Sequence, residues 1–224
     1  MRPGTLSLLA TLAITSCGAP GRRAAETRVV RPSEILDFHV LYSENCSGCH
    51  GADGQGGLSI GLANPVYLAI ADDAIIRRIT TQGVPGTPMP AFAQEYGGLL
   101  TDDQIQVLVG GIRDWATRGA FQNQQPPPYR ASQPGNSAHG QRVFNTTCSS
   151  CHGLDGRGKR TIADHSYLAL VSDQHLRTVI LTGMPHLGMP DWRHHPKPLS
   201  DADVTDIVAW LVSQREPLSA ELSH

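Results

Sequence analysis

Two copies of the pattern Cys-x-x-Cys-His lie about a hundred residues apart, as CSGCH at 46–50 and CSSCH at 148–152. Cysteines at this spacing can bind zinc, cycle as a dithiol, or form thioether bonds to the vinyl groups of haem. Zinc needs four ligands, and each copy offers two cysteines and one histidine with no second pair nearby. A thioredoxin-like dithiol needs an α/β pattern, which the sequence lacks. The histidine that follows the second cysteine favours covalent haem at both copies.

Methionines are the second group with a chemical pattern. The chain has four, and two of them, Met89 and Met189, occupy the same place in a repeat and are each followed by proline. A methionine in such a loop is often only core packing. Two aligned Met-Pro pairs in a chain poor in methionine favour an iron ligand instead, and a thioether ligand raises the reduction potential of haem iron. His186 lies in the second methionine loop and could compete with Met189.

The whole chain is organised as a duplication. YLAIADDAIIRRITTQG at 67–83 aligns with YLALVSDQHLRTVILTG at 167–183, and LTDDQIQVLV at 100–109 aligns with LSDADVTDIV at 199–208. Apolar residues spaced three and four apart predict amphipathic helices. The predicted helices are 34–45, 72–82 and 101–116 in the first copy, and 137–147, 172–182 and 200–215 in the second. No segment alternates with the period of a strand, so the expected fold class is all-α.

Helix, Cys-x-x-Cys-His-Gly, middle helix, Met-Pro loop and closing helix together resemble class I cytochrome c, present twice, as in dihaem cytochromes c of bacterial electron-transfer chains. The resemblance covers 34–116 and 137–215. It implies two covalently bound haems c. The implied residues are Cys46, Cys49, His50 and Met89 for the first haem and Cys148, Cys151, His152 and Met189 for the second, with the histidines and methionines as iron ligands.

Two departures from the family pattern lead to structural expectations. The family crosses its first and last helices through a small residue on one and an aromatic residue on the other. We therefore expect Phe38 to pack on Gly111 in the first copy and Gly140 to pack under Trp210 in the second. The family also uses a carbonyl beside a proline to accept the haem histidine N–H. The first copy offers Asn64-Pro65 for this and the second copy has no proline there, so we expect two different haem potentials.

The N-terminus resembles an export signal. An apolar run at 6–14 is too short for a bilayer, which needs about 20 residues, and Cys17 ends the sequence LAITSC, which resembles the lipobox of bacterial lipoproteins. We expect residues 1–16 to be a signal peptide and Cys17 to carry the lipid attachment. The alternatives are a buried first helix and a cysteine that is lost with the cleaved signal. The expected location is the periplasmic side of the cell envelope, anchored by lipid.

The expected plan after the signal is a tether at 17–33, a first cytochrome c domain at 34–116, a Pro-rich linker at 117–136, a second domain at 137–216 and a tail at 217–224. Residues 34–115 hold 10 acidic residues against 3 arginines, whereas 137–224 hold 9 acidic residues against 8 basic ones. The acidic first domain suits a basic partner surface, or is simply a solvated acidic face.

The predicted function is a membrane-anchored dihaem cytochrome that carries single electrons between a donor and an acceptor protein in a respiratory or photosynthetic chain. It would act as a mobile carrier or as a subunit of a membrane complex, and not as an enzyme in its own right. Iron held by His and Met leaves no position for a substrate. The alternative is a dihaem enzyme, such as a peroxidase or a thiosulfate-oxidising cytochrome, with one open haem. No nucleic-acid partner is expected.

Overall fold

The computed structural model describes residues 29–116 and 125–215. The expected signal peptide at 1–16 and the expected lipid attachment at Cys17 lie outside these ranges. The described residues in 32–116 and 125–215 form one compact unit. No helix in the described ranges is long and apolar enough to cross a membrane.

The first half of this unit has five α-helices within the described residues: α1 (Phe38–Asn45), α2 (Ser47–His50), α3 (Pro65–Ile70), α4 (Asp73–Gln82) and α5 (Asp102–Asp114). The second half repeats them as α6 (Ser137–Thr147), α7 (Ser149–His152), α8 (His165–Leu170), α9 (Asp173–Thr182) and α10 (Asp201–Ser213). Short 3-10 turns occur at Pro32–Glu34, Gln94–Tyr96, Leu154–Gly156 and Pro185–Leu187. Extended pairing among the described residues is limited to isolated bridges, so the all-α prediction is confirmed.

All six long helices expected from the sequence are present, but α1 begins at Phe38 and not at residue 34, where a 3-10 turn ends instead. Thr101 accepts a hydrogen bond from the backbone N–H of Gln104, and the Gln104 side chain accepts one from the backbone N–H of Thr101, which makes the capping box that the Thr-x-x-Gln spacing indicates. Ser200 and Asp203 form the same box at the start of α10. Helices α3 and α8 were not predicted. Each is six residues long, too short to show a helical period, and each begins at a capping side chain, Asn64 or Asp164.

The closing helices supply much of each core. In α5 the apolar residues spaced three and four apart are all buried, namely Ile105, Leu108, Val109 and Ile112. In α10 the equivalent positions Val204, Ile207 and Leu211 are buried, and Val208 is half-buried. Burying such side chains stabilises a protein by about 1.5–3 kcal/mol each. This burial fixes the closing helix of each domain against its own core.

The expected helix crossing is confirmed in the first domain, and in the second Gly140 lies at the contact with α10. The Phe38 ring lies directly over Gly111, where a Cβ atom would overlap it. Gly140 packs against the backbone carbonyl of Asp206 in α10, so a Cβ there would overlap main-chain atoms. Trp210 packs on Phe144, with ring centroids 4.5 Å apart. The second crossing therefore brings two helix backbones together at Gly140.

The two domains pack on each other through α3 and α9. Val66 of α3 is 1% exposed and belongs to the apolar core of the second domain. Next to it, the Asn64 side chain accepts hydrogen bonds from the N-terminus of α3 and donates one to the Thr182 carbonyl at the end of α9, at 3.0 Å. The unpredicted helix α3 is thus one of the elements that join the domains.

The described end of the linker is also held between the domains. Tyr129 is 7% exposed and belongs to the core of the first domain. Its carbonyl and that of Pro128 accept hydrogen bonds from the Arg177 guanidinium of α9, and Gln174 donates to Tyr129 at 2.7 Å. This part of the predicted linker is therefore a packed element and not a free tether.

Candidate functional site

Each Cys-x-x-Cys-His motif lies at the end of a first helix and forms a short turn of its own. Cys46 caps α2 and is buried, whereas Cys49 is exposed. Cys148 caps α7 and is partly buried, and Cys151 is exposed. All four thiols are unbridged. Burial raises the pKa of Cys46 to about 12, with a smaller effect of neighbouring Cys49. Four free thiols are available in two equivalent pairs.

A left-handed glycine ends each motif and turns the chain sharply. Gly51 has φ of 84° and Gly153 has φ of 76°, a backbone conformation that only glycine adopts without strain. A Cβ at Gly153 would lie 2.5 Å from Gly158. The sharp turn at each glycine brings the following loop back against the histidine of the motif.

The loop orients each histidine ring in the same way. His50 donates from Nδ1 to the Ile60 carbonyl at 2.8 Å, and His152 donates from Nδ1 to the Arg160 carbonyl at 2.7 Å. The expected acceptor beside Pro65 was wrong, because the Ile60 carbonyl takes this bond and the Asn64 carbonyl accepts from the Leu68 N–H of α3 instead. Because Nδ1 carries the hydrogen and donates it to a carbonyl, Nε2 carries the lone pair. Histidines that bind metals in proteins are oriented by the same kind of hydrogen bond.

The methionine loops are likewise built alike. The Val84 N–H donates to the Met89 carbonyl at 3.0 Å, and the Met184 N–H donates to the Met189 carbonyl at the same distance. Gly83 and Gly183 precede the two loops with positive φ, and a Cβ at Gly183 would lie 2.6 Å from the Met189 carbonyl oxygen. Met184 therefore contacts Met189 through backbone hydrogen bonds. The side chains of Met89 and Met189 are both half-buried.

The two histidines differ in burial. His50 is 7% exposed, and burial lowers its pKa, against a smaller opposite effect of its bond to Ile60. His152 is partly exposed to solvent. Burial lowers the pKa of His175 on α9, and the charge of His50 lowers it further.

Two further side chains at the second site were not found from the sequence. Among the described residues, only Trp192 Nε1 and His195 Nε2 are buried side-chain polar atoms without a hydrogen-bond partner. Both residues follow Met189 within one loop. Trp192 Nε1 can only donate. Tryptophan often serves only as core packing, so the sequence alone did not indicate that Trp192 Nε1 lacks an acceptor.

The residues fit haem better than a bare metal ion. Nowhere in residues 29–116 or 125–215 do three His, Cys, Asp or Glu side chains converge on one point that could hold a metal ion. Each domain instead combines two unbridged thiols, one histidine with Nε2 left free, and one loop methionine. This donor set matches a porphyrin that is bound covalently and supplies four iron ligands itself.

Two tandem helical domains with this donor set define a dihaem c-type cytochrome of the class I fold, with two covalently bound haems c. The model of the family described as cytochrome C oxidase, cbb3-type, subunit III matches residues 34–110 and 135–211, so the chain belongs to this family.

Curated relatives are subunits of respiratory complexes by name. The Cbb3-type cytochrome c oxidase subunit CcoP of Azospirillum sp. (strain B510) is 28% identical, over 82% of this chain and 64% of its own length. Subunit FixP of Sinorhizobium medicae is 28% identical, over 68% and 52%. The cytochrome bc1 complex cytochrome c subunit of Mycobacterium tuberculosis is 27% identical, over 76% and 60%. The chain thus spans about half to two thirds of the length of these relatives.

Proposed function

We propose that Cys46, Cys49 and Cys148, Cys151 attach the two haems, and that His50 with Met89 and His152 with Met189 bind the two irons. Haem c supplies a reversible one-electron couple whose potential depends on axial ligands, hydrogen bonding and burial. The protein contributes the orientation of each histidine through a main-chain carbonyl and the position of each methionine through a closed loop. It also contributes the apolar packing around each site.

The proposed function is single-electron transfer between redox proteins, without catalysis by this chain. The observation that carries it is the repeated pairing of an Nδ1-bonded histidine with a methionine loop closed by backbone hydrogen bonds. Two saturated sites offer no coordination position to a substrate. His186 of the second methionine loop is exposed, which supports Met189 over His186 as the ligand.

The proposed setting is a respiratory or photosynthetic chain, where the protein would act as a mobile carrier or as a fixed subunit. The named roles of the relatives support the subunit form, as parts of cbb3-type oxidase and bc1 complexes. A donor and an acceptor protein are its proposed partners. We also propose export to the periplasmic side and a lipid anchor on Cys17, which rests on the sequence LAITSC.

The two sites are proposed to have different reduction potentials because their histidines differ in burial. The histidine acceptors are equivalent main-chain carbonyls, so they do not distinguish the sites. Burial does distinguish them, because His50 is 7% exposed and His152 faces solvent in part. Excluding water disfavours the more highly charged ferric state, so the first site should have the more positive potential.

The test is a spectroelectrochemical titration of the mature holoprotein that follows the Met-to-iron charge-transfer band and the spin state. Two low-spin centres with separate midpoints, each losing its band only in the matching variant Met89→Ala or Met189→Ala, are expected. A high-spin centre that binds carbon monoxide would contradict the carrier function and favour the dihaem enzyme. Coincident midpoints would refute the proposed difference between the sites.

A further inference from the structure

The loop that follows the second motif carries a cluster of positive charge. Arg157, Lys159 and Arg160 lie in the eight residues after His152 and are all exposed. The loop is fixed to the histidine, since the Gly158 N–H donates to the His152 carbonyl at 2.6 Å and the Arg160 carbonyl accepts from its ring. Three cationic side chains therefore lie close to His152, the candidate iron ligand of the second domain.

The acidic residue of this loop is engaged elsewhere. The Asp155 carboxylate accepts hydrogen bonds from Gln141 at 2.9 Å and Asn145 at 3.0 Å, both on α6. These bonds lower the pKa of Asp155, with a smaller contribution from Arg157. In the described residues neither Arg157 nor Lys159 forms an ion pair within 4.0 Å. The outward charge of the loop is therefore positive.

Two exposed leucines adjoin the charged residues. Leu154 is 71% exposed and Leu187 is 55% exposed. The Arg157 N–H donates to the Leu154 carbonyl, and the Arg160 guanidinium donates to the Leu187 carbonyl at 3.1 Å. Leu154, Arg157, Lys159, Arg160 and Leu187 thus form one surface, called here the basic surface, which joins the motif loop to the methionine loop.

The equivalent loop of the first domain has no such surface. Residues 51–60 contain one aspartate, Asp53, and no lysine or arginine. Leu58 there is 91% exposed, so an apolar residue is present without the cationic rim. The first domain as a whole is acidic. His50 is buried, whereas His152 is partly exposed. The positive charge is therefore specific to the second site.

We propose that the basic surface is the docking site for an acidic redox protein, which would exchange electrons through the second domain. This inference rests on the proposed electron-transfer function. Opposite charges around a small apolar centre speed encounter and orient a transient partner. A protein partner is favoured over an anionic membrane because the apolar part consists of two separate leucines, whereas membrane-binding surfaces present aromatic residues or an amphipathic helix.

The test measures binding of a polyglutamate peptide to the full-chain holoprotein at several salt concentrations. We expect affinity that falls with salt, and amide shifts in the ferrous protein at residues 154–160 and 187. The double variant R157Q/K159Q should weaken binding roughly 5- to 10-fold, because rim charges set electrostatic attraction. The matched control R78Q/R130Q removes the same charge from two exposed arginines near Tyr129 and should change affinity less than about 2-fold.

Absence of salt-dependent binding, equal effects of the two double variants, or amide shifts confined to the first domain would overturn the docking site. So would binding to phosphatidylglycerol vesicles without binding to the peptide, which would assign the surface to a membrane. The same samples are titrated for their midpoints. Two normal reversible midpoints without peptide binding would refute only the docking site, whereas loss of either couple in the unsubstituted protein would refute the electron-transfer function itself.

Discussion

The same arginine–aspartate pair occurs in both domains, in opposite surroundings. Arg77 bonds to Asp102 at 2.5 Å and to Gln106, and its side chain is 34% exposed. Arg177 bonds to Asp201 and Thr205 at the equivalent positions, but is 3% exposed. The difference is the linker, whose Pro128 and Tyr129 carbonyls cover Arg177. The same arginine–aspartate contact is therefore exposed in the first domain and buried in the second, where the linker covers it.

The most sensitive test of this difference replaces each arginine by glutamine. R177Q should lower the free energy of unfolding by about 3 kcal/mol, because it removes the charged partner of a partly buried carboxylate and the donor to the Pro128 carbonyl, and leaves Tyr129 with Gln174 alone. R77Q should cost less than about 1 kcal/mol, as expected for an exposed ion pair. Denaturant unfolding of the holoprotein measures both. Equal losses would mean that the linker does not make the pair structurally important.

The helix crossings provide a second comparison. G140A should cost about 2–3 kcal/mol, because the new methyl group meets the rigid backbone of α10. G111A should cost about 1 kcal/mol, because it meets the Phe38 ring, and a side chain can move.

Gly110 is the control for the effect of alanine on helix propensity, because it lies on the same helix with open space around it. G110A should stabilise the protein by about 0.5–1 kcal/mol. Thermal unfolding of the three holoprotein variants measures the order of their stabilities. A cost for G111A equal to that for G140A would show that the Phe38 ring is as rigid as a backbone.

The interdomain contact is tested at two equivalent helix caps. N64D keeps the oxygen that caps α3 but removes the N–H that donates to the Thr182 carbonyl, and should cost about 1–2 kcal/mol. D164N exchanges the same two residue types at the cap of α8, where the side chain serves Tyr167 alone, and should change stability by less than about 0.5 kcal/mol. Calorimetry of both variants tests this. Splitting of one transition into two in N64D alone would show that this bond couples the domains, whereas equal small effects would contradict it.

Periodic and chemical patterns made a large part of this structure predictable. The six long helices, the capping box at Thr101 and the contact of Phe38 with Gly111 follow from side-chain types at local spacings. The duplication helped, because each loop could be compared with its copy. The haem attachment residues remain a prediction from motif spacing, which the positions of the thiols and rings support.

What the sequence did not predict depends on main-chain groups and on distant contacts. The acceptors of His50 and His152 are carbonyls of Ile60 and Arg160, and a carbonyl has no residue-specific signal. Arg177 resembles its copy Arg77 in sequence, so its burial follows only from where the linker returns. The contact of the Trp210 ring with Phe144 was also not predicted, because it depends on how α6 and α10 cross.

The position of Tyr129 determines how this protein can be divided experimentally. Its ring completes the core of the first domain, while its carbonyl is held by Gln174 and Arg177 of the second. A first domain that ends at residue 116 would lack one aromatic residue of its own interior, and a second domain that begins at 137 would leave Arg177 short of two acceptors. Residues 125–130 therefore belong to both halves, and either half needs them to reproduce its environment in the intact chain.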